Sequence, residues 1–358
     1  MDTQKLDQTY IANTYARFPV TIVKGKGSLV WDDTGKEYID LSTGIAVDIF
    51  GVADEEWMAA VTKQLGTLQH ISNLYYTEPC VKLAQMLCEK TGMKKVFFGN
   101  SGAEANECAI KAARKWSEEK KGKDYFTPLT EGFVYAEPND LANLEQLIKA
   151  NKCAAVMMEV VQGEGGVMPL DEAYVKGAAK LCEQYDLLLI CDEVQVGNGR
   201  SGKLYGYMHY GVQPDIVSTA KGLAGGLPLG ATLLGEKVQD VLSAGTHGST
   251  FGGNPVCCAG AINVLSRLDE KMLEGVEERS AYIKQELAGA KGVLGVSGLG
   301  LMLGIQTEKN ASDIIAACRE KGVLVIKAKD KLRLLPALNI PMEQLQKAVA
   351  VIKACCAE

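Results

Sequence analysis

Four short polar segments follow apolar runs of this sequence, at positions where chemistry could take place. They are 99–104 (GNSGAE), 192–195 (DEVQ), 221–226 (KGLAGG) and 248–255 (GSTFGGNP). Ligands of open α/β sheets bind beyond the carboxyl ends of the strands. If the apolar runs are strands of one sheet, these segments line a single site.

Two of these segments place an ionisable residue directly after an apolar run. Lys221 follows 216–220, and removal of a lysine from water lowers its pKa, so that the neutral amine becomes a nucleophile and a base. Asp192 follows 187–191, where a carboxylate needs a cationic partner or hydrogen bonds. A protonated pyridine ring such as that of pyridoxal phosphate (PLP) is a suitable partner, because the carboxylate keeps the ring electron-withdrawing. A surface lysine and a capping aspartate are the structural alternatives.

The other two segments could bind an anion. Small residues at the start of a helix leave backbone N–H groups free, and the helix dipole favours a phosphate there. Ser101 could add a hydroxyl, but Glu104 three residues later also fits an ordinary capping box. Ser249 and Thr250 could bind a phosphate or a carboxylate, or could only shape a turn.

The elements that position these segments alternate between helix and strand from about residue 55. Helical apolar spacing covers 56–68, 79–90, 102–120 and 171–185, and apolar strands cover 94–98, 154–161, 187–191 and 216–220. Strands that are apolar on both faces and alternate with helices are typical of a buried parallel sheet. We therefore predict an α/β fold with a mostly parallel central sheet flanked by helices.

The two ends of the chain differ from this central part. Residues 1–50 are predicted to form an N-terminal arm with a small hairpin, because 21–41 alternates and contains turn pairs. We expect this arm to pack with a smaller α+β C-terminal domain, 256–358, in which short strands alternate with helices. Residues 51–255 are then the large domain.

Composition excludes several classes of protein. The chain has 358 residues, 47% of them hydrophobic, and a net charge of -6 without a basic cluster, so we expect no nucleic-acid partner. No apolar run reaches the roughly 18 residues of a membrane span. The N-terminal MDTQKLDQTY lacks the apolar core of a signal peptide, and we expect a cytoplasmic protein. The 11 cysteines lack metal-ligand spacing, so we expect reduced thiols and no metal site.

Five longer segments resemble the signature segments of the class III (ω-)aminotransferases. They are GNSGAEANE, EVVQGEGG, CDEVQ, STAKGLAGGLPLGA and HGSTFGGNP, and the resemblance extends over nearly the whole chain. It implies the PLP-dependent transferase fold of type I, PLP as the cofactor and a homodimer with shared active sites. It also implies that a small-molecule amino donor transfers its amino group to 2-oxoglutarate.

The resemblance assigns cofactor-binding roles to residues of these segments. Lys221 would form the Schiff base with PLP and then shuttle the proton, and Asp192 would pair with the ring nitrogen. Val194 would pack on one face of the ring, and Gln195 would reach the 3'-oxygen.

The phosphate-binding roles follow from the same resemblance. Ser101, Gly102 and Ala103 would hold the phosphate at the start of the helix. Thr250 would reach the phosphate of the neighbouring subunit's cofactor. These roles imply that each site contains residues of both subunits.

Substrate-binding roles follow for five further residues. Arg333 would bind a substrate carboxylate, and Glu164 would pair with this arginine when the substrate lacks that carboxylate. Ser249 and Tyr15 would lie near the substrate. Family members that act on free ornithine have a tyrosine where Gly44 stands, so Gly44 implies room for an acyl group. A surface arginine and a turn glutamate are the structural alternatives for the first pair.

The expected donor is N2-acetylornithine, as in arginine biosynthesis, with ornithine, succinylornithine, 4-aminobutyrate and acetyllysine as alternatives. One family motif, aromatic–His–Gly–Arg–Thr, is absent from the sequence. We predict that the expressed polypeptide contains this motif between Tyr125 and Phe126. If the segment is truly lacking, the alternative is a non-catalytic protein with the same fold.

Overall fold

The computed structural model describes residues 3–12, 14–121 and 132–358. The junction of Tyr125 and Phe126, where we predict an additional segment, lies outside the described residues. No helix in the described ranges is long and apolar enough to cross a membrane.

The helices of the described chain alternate with strands over most of its length. They are α1 (Thr3–Tyr10), α2 (Thr43–Ala46), α3 (Glu55–Leu65), α4 (Glu78–Thr91), α5 (Gly102–Lys121), α6 (Leu141–Ala150), α7 (Glu172–Gln184), α8 (Pro255–Arg267), α9 (Glu270–Leu287), α10 (Ala311–Glu320) and α11 (Met342–Ala357). Local chemistry sets several of their ends. Asp54 caps α3 by accepting a hydrogen bond from the Trp57 N–H, and α4 ends at the left-handed Gly92.

The strands are short, as expected for segments that pass through a packed core. They are β1 (Ile22–Lys26), β2 (Leu29–Asp32), β3 (Glu37–Asp40), β4 (Lys95–Gly99), β5 (Ala155–Met158), β6 (Val161–Gln162), β7 (Met168–Pro169), β8 (Leu188–Asp192), β9 (Ile216–Thr219), β10 (Gly230–Leu234), β11 (Val293–Leu299), β12 (Met302–Thr307), β13 (Val323–Leu324), β14 (Ile326–Ala328) and β15 (Lys331–Leu334).

The central sheet has the strand order β4-β10-β9-β8-β5. Strands β5, β8 and β9 pair in parallel, whereas β10 is antiparallel to both β4 and β9. Four of the five strands therefore point in one direction, which confirms the predicted mostly parallel sheet. Their carboxyl ends carry Gly99, Asp192 and Thr219, so three of the four predicted polar segments emerge at one edge. The fourth segment, 248–255, does not follow a strand, because residues 235–254 between β10 and α8 form turns and loop.

Three smaller sheets of the described chain lie outside the central one, and the shortest is the antiparallel pair β6-β7. The order β11-β12-β15-β14 forms an antiparallel sheet in the C-terminal part of the chain. The N-terminal hairpin of β1 and β2 continues into β3, which pairs in parallel with β13. We propose on this basis the arm and the two domains divided as 1–50, 51–255 and 256–358, although α8 packs against α3 and α4.

Three predicted elements differ from the structure. The predicted strand 154–161 is divided into β5 and β6, because Glu159 at the break accepts a hydrogen bond from the Gly163 N–H and the chain turns. The glycine-rich stretch after Lys221 contains a buried strand, β10, rather than only loop. Its first residue is Gly230, where a Cβ would lie 2.1 Å from the Ser101 carbonyl oxygen. The N-terminal arm contains a helix, α1, in addition to the predicted hairpin.

Candidate functional site

Lys221 lies at the carboxyl end of β9, in a short 3₁₀ turn. Its backbone adopts φ 48°, in the left-handed region that non-glycine residues rarely occupy. The side chain is half-buried, and this burial lowers the pKa of the Lys221 amine, although the nearby Glu164 carboxylate acts in the opposite direction. A larger fraction of the amine is therefore neutral than in an exposed lysine.

Asp192 lies at the carboxyl end of β8, the strand next to β9. Its Oδ1 accepts a hydrogen bond of 2.9 Å from the Val194 N–H, so the predicted cap exists. Its Oδ2 accepts a second bond of 2.8 Å from Asn106 Nδ2 on α5. Two donors thus fix the plane of this carboxylate, and one oxygen lone pair on Oδ2 can still accept a proton donor from a ligand.

The start of α5 lies beside this carboxylate. A Cβ on Gly102 would be 2.7 Å from Val194 Cγ1, so the start of α5 is in direct contact with Val194, two residues after Asp192. Ser101 Oγ accepts a hydrogen bond of 3.2 Å from the Glu104 N–H, which realises half of a capping box. The hydroxyl hydrogen of Ser101 can still be donated to an anion. Ala103 is exposed at the same helix start.

The loop of Ser249 and Thr250 covers the end of β4. Ser249 Oγ accepts a hydrogen bond of 3.1 Å from Asn100 Nδ2, which places Ser249 against the anion-binding segment. The backbone approach is close, since a Cβ on Gly252 would be 2.0 Å from the Phe98 carbonyl oxygen. Thr250, the next residue, is exposed.

Arg333 forms a buried hydrogen-bonded group with Glu164 and Gln195. Its Nη1 donates to Glu164 Oε1 at 2.5 Å and to Gln195 Oε1 at 3.1 Å, and its Nη2 donates to the Lys327 carbonyl at 3.3 Å. The arginine side chain is 4% exposed whereas that of Glu164 is 74% exposed. Burial raises the pKa of Glu164, but Arg333 outweighs this effect and the net pKa is lowered. Glu164 is thus an accessible, ionised carboxylate paired with a buried guanidinium.

Two predicted substrate residues lie at different distances from this group. Gly44 is exposed in the left-handed turn α2, and a Cβ on Gly222 would be 3.2 Å from the Ala46 carbonyl, so this turn packs on the Lys221 turn. Tyr15 is 70% exposed, and the guanidinium of Arg17 lies 5.4 Å from the centre of its ring.

Sequence reasoning missed three residues that contact the site. Asn106 binds Asp192, and its position four residues after Gly102 was a usable signal because such residues share a helix face. Glu159 interacts electrostatically with both Asp192 and Lys221, and burial raises the pKa of its carboxyl group, an effect that the Asp192 carboxylate increases. Asn198 hydrogen-bonds to the strand end before Lys221, and no sequence signal indicated this contact.

All eleven cysteines lie in the described part of the chain, and none of them forms a disulfide there. Within the residues that the structure describes, no three His, Cys, Asp or Glu side chains are arranged to hold a metal ion.

Comparison with known proteins gives long matches. The chain matches the family model described as Aminotransferase class-III over residues 10–134 and 125–356. It is 44% identical to the acetylornithine aminotransferase of Haemophilus ducreyi over 386 residues, which cover 99% of this chain and 98% of that protein. The predicted family resemblance is thereby confirmed.

Solved structures match over the same share of this chain. The N-acetylornithine aminotransferase of Stenotrophomonas maltophilia has a TM-score of 0.90 and 36% identity, covering 99% of this chain and 98% of that one. The ornithine aminotransferase of Toxoplasma gondii has a TM-score of 0.94 and 31% identity, covering 99% and 94%. These matches confirm the predicted α/β fold of type I.

The match to the family model is divided into two stretches. The alignment with the Haemophilus ducreyi protein has 386 positions and this chain has 358 residues, so at least 28 positions hold no residue of this chain. The two stretches that match the family model overlap at 125–134, which includes Tyr125 and Phe126. The additional segment predicted there stays a prediction.

Proposed function

The chain belongs to the class-III aminotransferase family, and on this premise we propose that it transfers the terminal amino group of N2-acetylornithine to 2-oxoglutarate, a reaction of arginine biosynthesis, with PLP as its cofactor. One observation carries the proposal. The carboxyl ends of β9, β8 and β4 bring an amine of lowered pKa, a doubly anchored carboxylate and a helix start to one edge of the sheet.

These residues fit PLP by their chemistry. When bound, PLP supplies an aldehyde that condenses with amines and a ring that withdraws electrons. Asp192 keeps its orientation through Asn106 and the Val194 N–H, so its carboxylate can hold the ring nitrogen protonated. Ser101, Gly102 and Ala103 would hold the phosphate, with Val194 on one face of the ring.

Lys221 would act twice. Its neutral amine would hold the cofactor through the aldehyde group, and the same amine would later move a proton at the reacting carbon of the substrate. A lowered pKa suits both roles, because a protonated lysine can neither attack nor accept a proton. Glu159 and Asp192 lie near enough to steady the ammonium form when the proton is held.

Arg333 and Glu164 would distinguish the two substrates of this reaction. The buried Arg333 suits a fork-like contact with the α-carboxylate of 2-oxoglutarate. Glu164 is mostly exposed and can move into solvent when that carboxylate arrives. Gln195, which contacts both groups, would hold Arg333 in place during the exchange and reach the 3'-oxygen of PLP.

The identity of the donor rests on the relatives and on Gly44. The proteins similar to this chain include several named acetylornithine aminotransferases at about 40% identity over nearly their full length. Gly44 lies open in the turn next to the Lys221 turn, which leaves space for an acyl group. Ser249 would lie near the donor. The exposed Tyr15 would also lie near the substrate.

The experiment is a donor panel with 2-oxoglutarate as the acceptor. We expect N2-acetylornithine to be preferred over ornithine, succinylornithine, 4-aminobutyrate and acetyllysine, measured as kcat/KM. The purified protein should be yellow, and borohydride should attach the cofactor to Lys221, as located by peptide mass spectrometry. The Lys221→Ala variant should neither turn over nor be labelled. Normal turnover in this variant would contradict the assignment.

We also propose a homodimer with shared active sites. Leu74, Tyr75 and Tyr76 are 87%, 64% and 99% exposed, which is unusual for adjacent apolar side chains. Asn73 beside them donates hydrogen bonds to the carbonyl groups of Ser249 and Gly252. The apolar segment and the Thr250 loop therefore share one face, which a second copy would cover.

Mixed dimers test this arrangement. Lys221→Ala and Thr250→Glu subunits should each be inactive alone, the second because its carboxylate repels the phosphate. Mixing and re-association should restore activity, because one site of each mixed dimer then combines the normal Lys221 with the normal Thr250. A double variant on one subunit, mixed with wild type, is the matched control. No recovery in the first mixture would show that the sites are not shared.

A further inference from the structure

Asn198 contacts the strand end that presents Lys221. It lies in the loop after β8, is 1% exposed, and adopts φ 57°. Its Nδ2 donates to the Ala220 carbonyl at 3.0 Å and to Thr219 Oγ1 at 3.1 Å. These acceptors belong to the two residues directly before Lys221.

The backbone held by these bonds is strained. Lys221 has φ 48°, a left-handed conformation that costs free energy in a residue with a long side chain and persists only where the surroundings fix it. The Ala220 carbonyl also accepts a hydrogen bond of 3.0 Å from the Leu223 N–H, which closes the turn around Lys221. The Ala220 carbonyl thus accepts two hydrogen bonds, one from the Leu223 N–H and one from the Asn198 side-chain amide.

We propose that Asn198 is a positioning residue for the cofactor lysine, holding the end of β9 so that the Lys221 amine points toward the Asp192 side of the site. The inference rests on the proposed function, because the orientation of the Lys221 amine matters only if this amine binds the cofactor. Asparagine suits the position because it tolerates a left-handed backbone and offers two donor hydrogens from one nitrogen. A longer apolar residue would supply neither property.

Two variants and one control separate this role from general stability. Asn198→Gly keeps the left-handed backbone accessible and removes the amide, whereas Asn198→Asp keeps the shape and removes the donor. Asn139 is the matched control, because it also has a left-handed backbone, φ 64°, and caps Asp171 through its side chain. Asn139→Gly measures the cost of such a loss away from the site.

The readouts are the pH dependence of the visible absorption of the PLP-bound protein, the kcat and KM of the transamination, and thermal unfolding. The absorption follows the proton on the nitrogen that joins Lys221 to the cofactor. For both Asn198 variants we expect kcat to fall about three- to tenfold, the equivalent of one hydrogen bond, with KM changed less than about twofold. The midpoint of the absorption profile should move, whereas Asn139→Gly should leave both quantities at the wild-type values.

A variant that unfolds at lower temperature but keeps the wild-type absorption profile and kcat would overturn the inference, because Asn198 would then only stabilise the fold. If Asn198→Gly does not fold, the isosteric Asn198→Asp decides alone by the same criterion. Failure of the proposed function is recognised separately, since wild-type protein would then show no visible band and no cofactor label on Lys221.

Discussion

Replacement of Arg333 by alanine separates the two half-reactions of the proposed enzyme. Arg333 is buried, and its charge is balanced by the mostly exposed Glu164. In the reaction with 2-oxoglutarate the arginine would bind the α-carboxylate directly. In the reaction with the donor it would stay paired with Glu164. The substitution should therefore weaken the acceptor half-reaction selectively.

The magnitude follows from the contacts. Loss of a charge-assisted, two-point hydrogen bond to a carboxylate costs about 1.5–3 kcal/mol or more, which is roughly one to three decades in kcat/KM for 2-oxoglutarate. The donor half-reaction should change less than about threefold, because no bond to the donor is removed. Glu164 is left without its partner but can be hydrated, and its pKa should return toward the ordinary value.

Each half-reaction can be followed by single-turnover spectroscopy of the bound cofactor. Arg333→Lys is the matched control, since it keeps the charge but not the planar fork, and should recover only part of the loss. Thermal unfolding of both variants reports whether the buried site has collapsed. Equal losses in the two half-reactions, with a folded protein, would refute the reasoning and assign Arg333 a structural role.

Three further predictions concern the cofactor site and the chain itself. Asp192→Asn should lower kcat by on the order of a hundredfold in steady-state assays, because the ring loses its anionic partner, and a loss below about threefold would leave Asp192 only a cap. Burial lowers the pKa of Lys221 below its usual 10.5 in the folded protein. At pH values between the folded-state and the unfolded-state pKa, the unfolded chain therefore binds more protons, and the stability of the folded protein rises with pH. Lys221→Met should then raise the unfolding temperature of the cofactor-free protein at pH 7, and a gain that persists unchanged above the usual lysine pKa would contradict this. The intact mass of the expressed polypeptide, measured by mass spectrometry, should exceed the mass of these 358 residues because of an additional segment between Tyr125 and Phe126. An equal mass would exclude that segment.

Much of the chemistry was visible in the sequence because it depends on neighbours along the chain. Lys221 and Asp192 could be singled out since each ends an apolar run, and the capping box of Ser101 with Glu104 depends on a three-residue spacing. The parallel strands β8 and β9 were predictable from continuous apolar runs, which are buried as expected. Periodicity and adjacency are local properties, so one sequence suffices to detect them.

Other features required the folded chain. Strand β10 was hidden because it follows a glycine-rich stretch and itself begins with Gly230, and only the close approach of Ser101 explains the glycine at that position. The fork of Arg333 reaches Glu164 across 169 positions of the chain.

The anchoring of the two central residues is also tertiary. Asp192 is held by Asn106, 86 positions away, and the end of β9 is held by Asn198, 22 positions from Ala220. The spacing of Asn106 from Gly102 indicates a shared helix face, but the partner across the fold depends on the paths of whole strands and loops. The sequence alone therefore determined which groups are candidates for the chemistry, whereas the tertiary structure decided how each is aimed, because a hydrogen bond's direction is set by both of the elements that it joins.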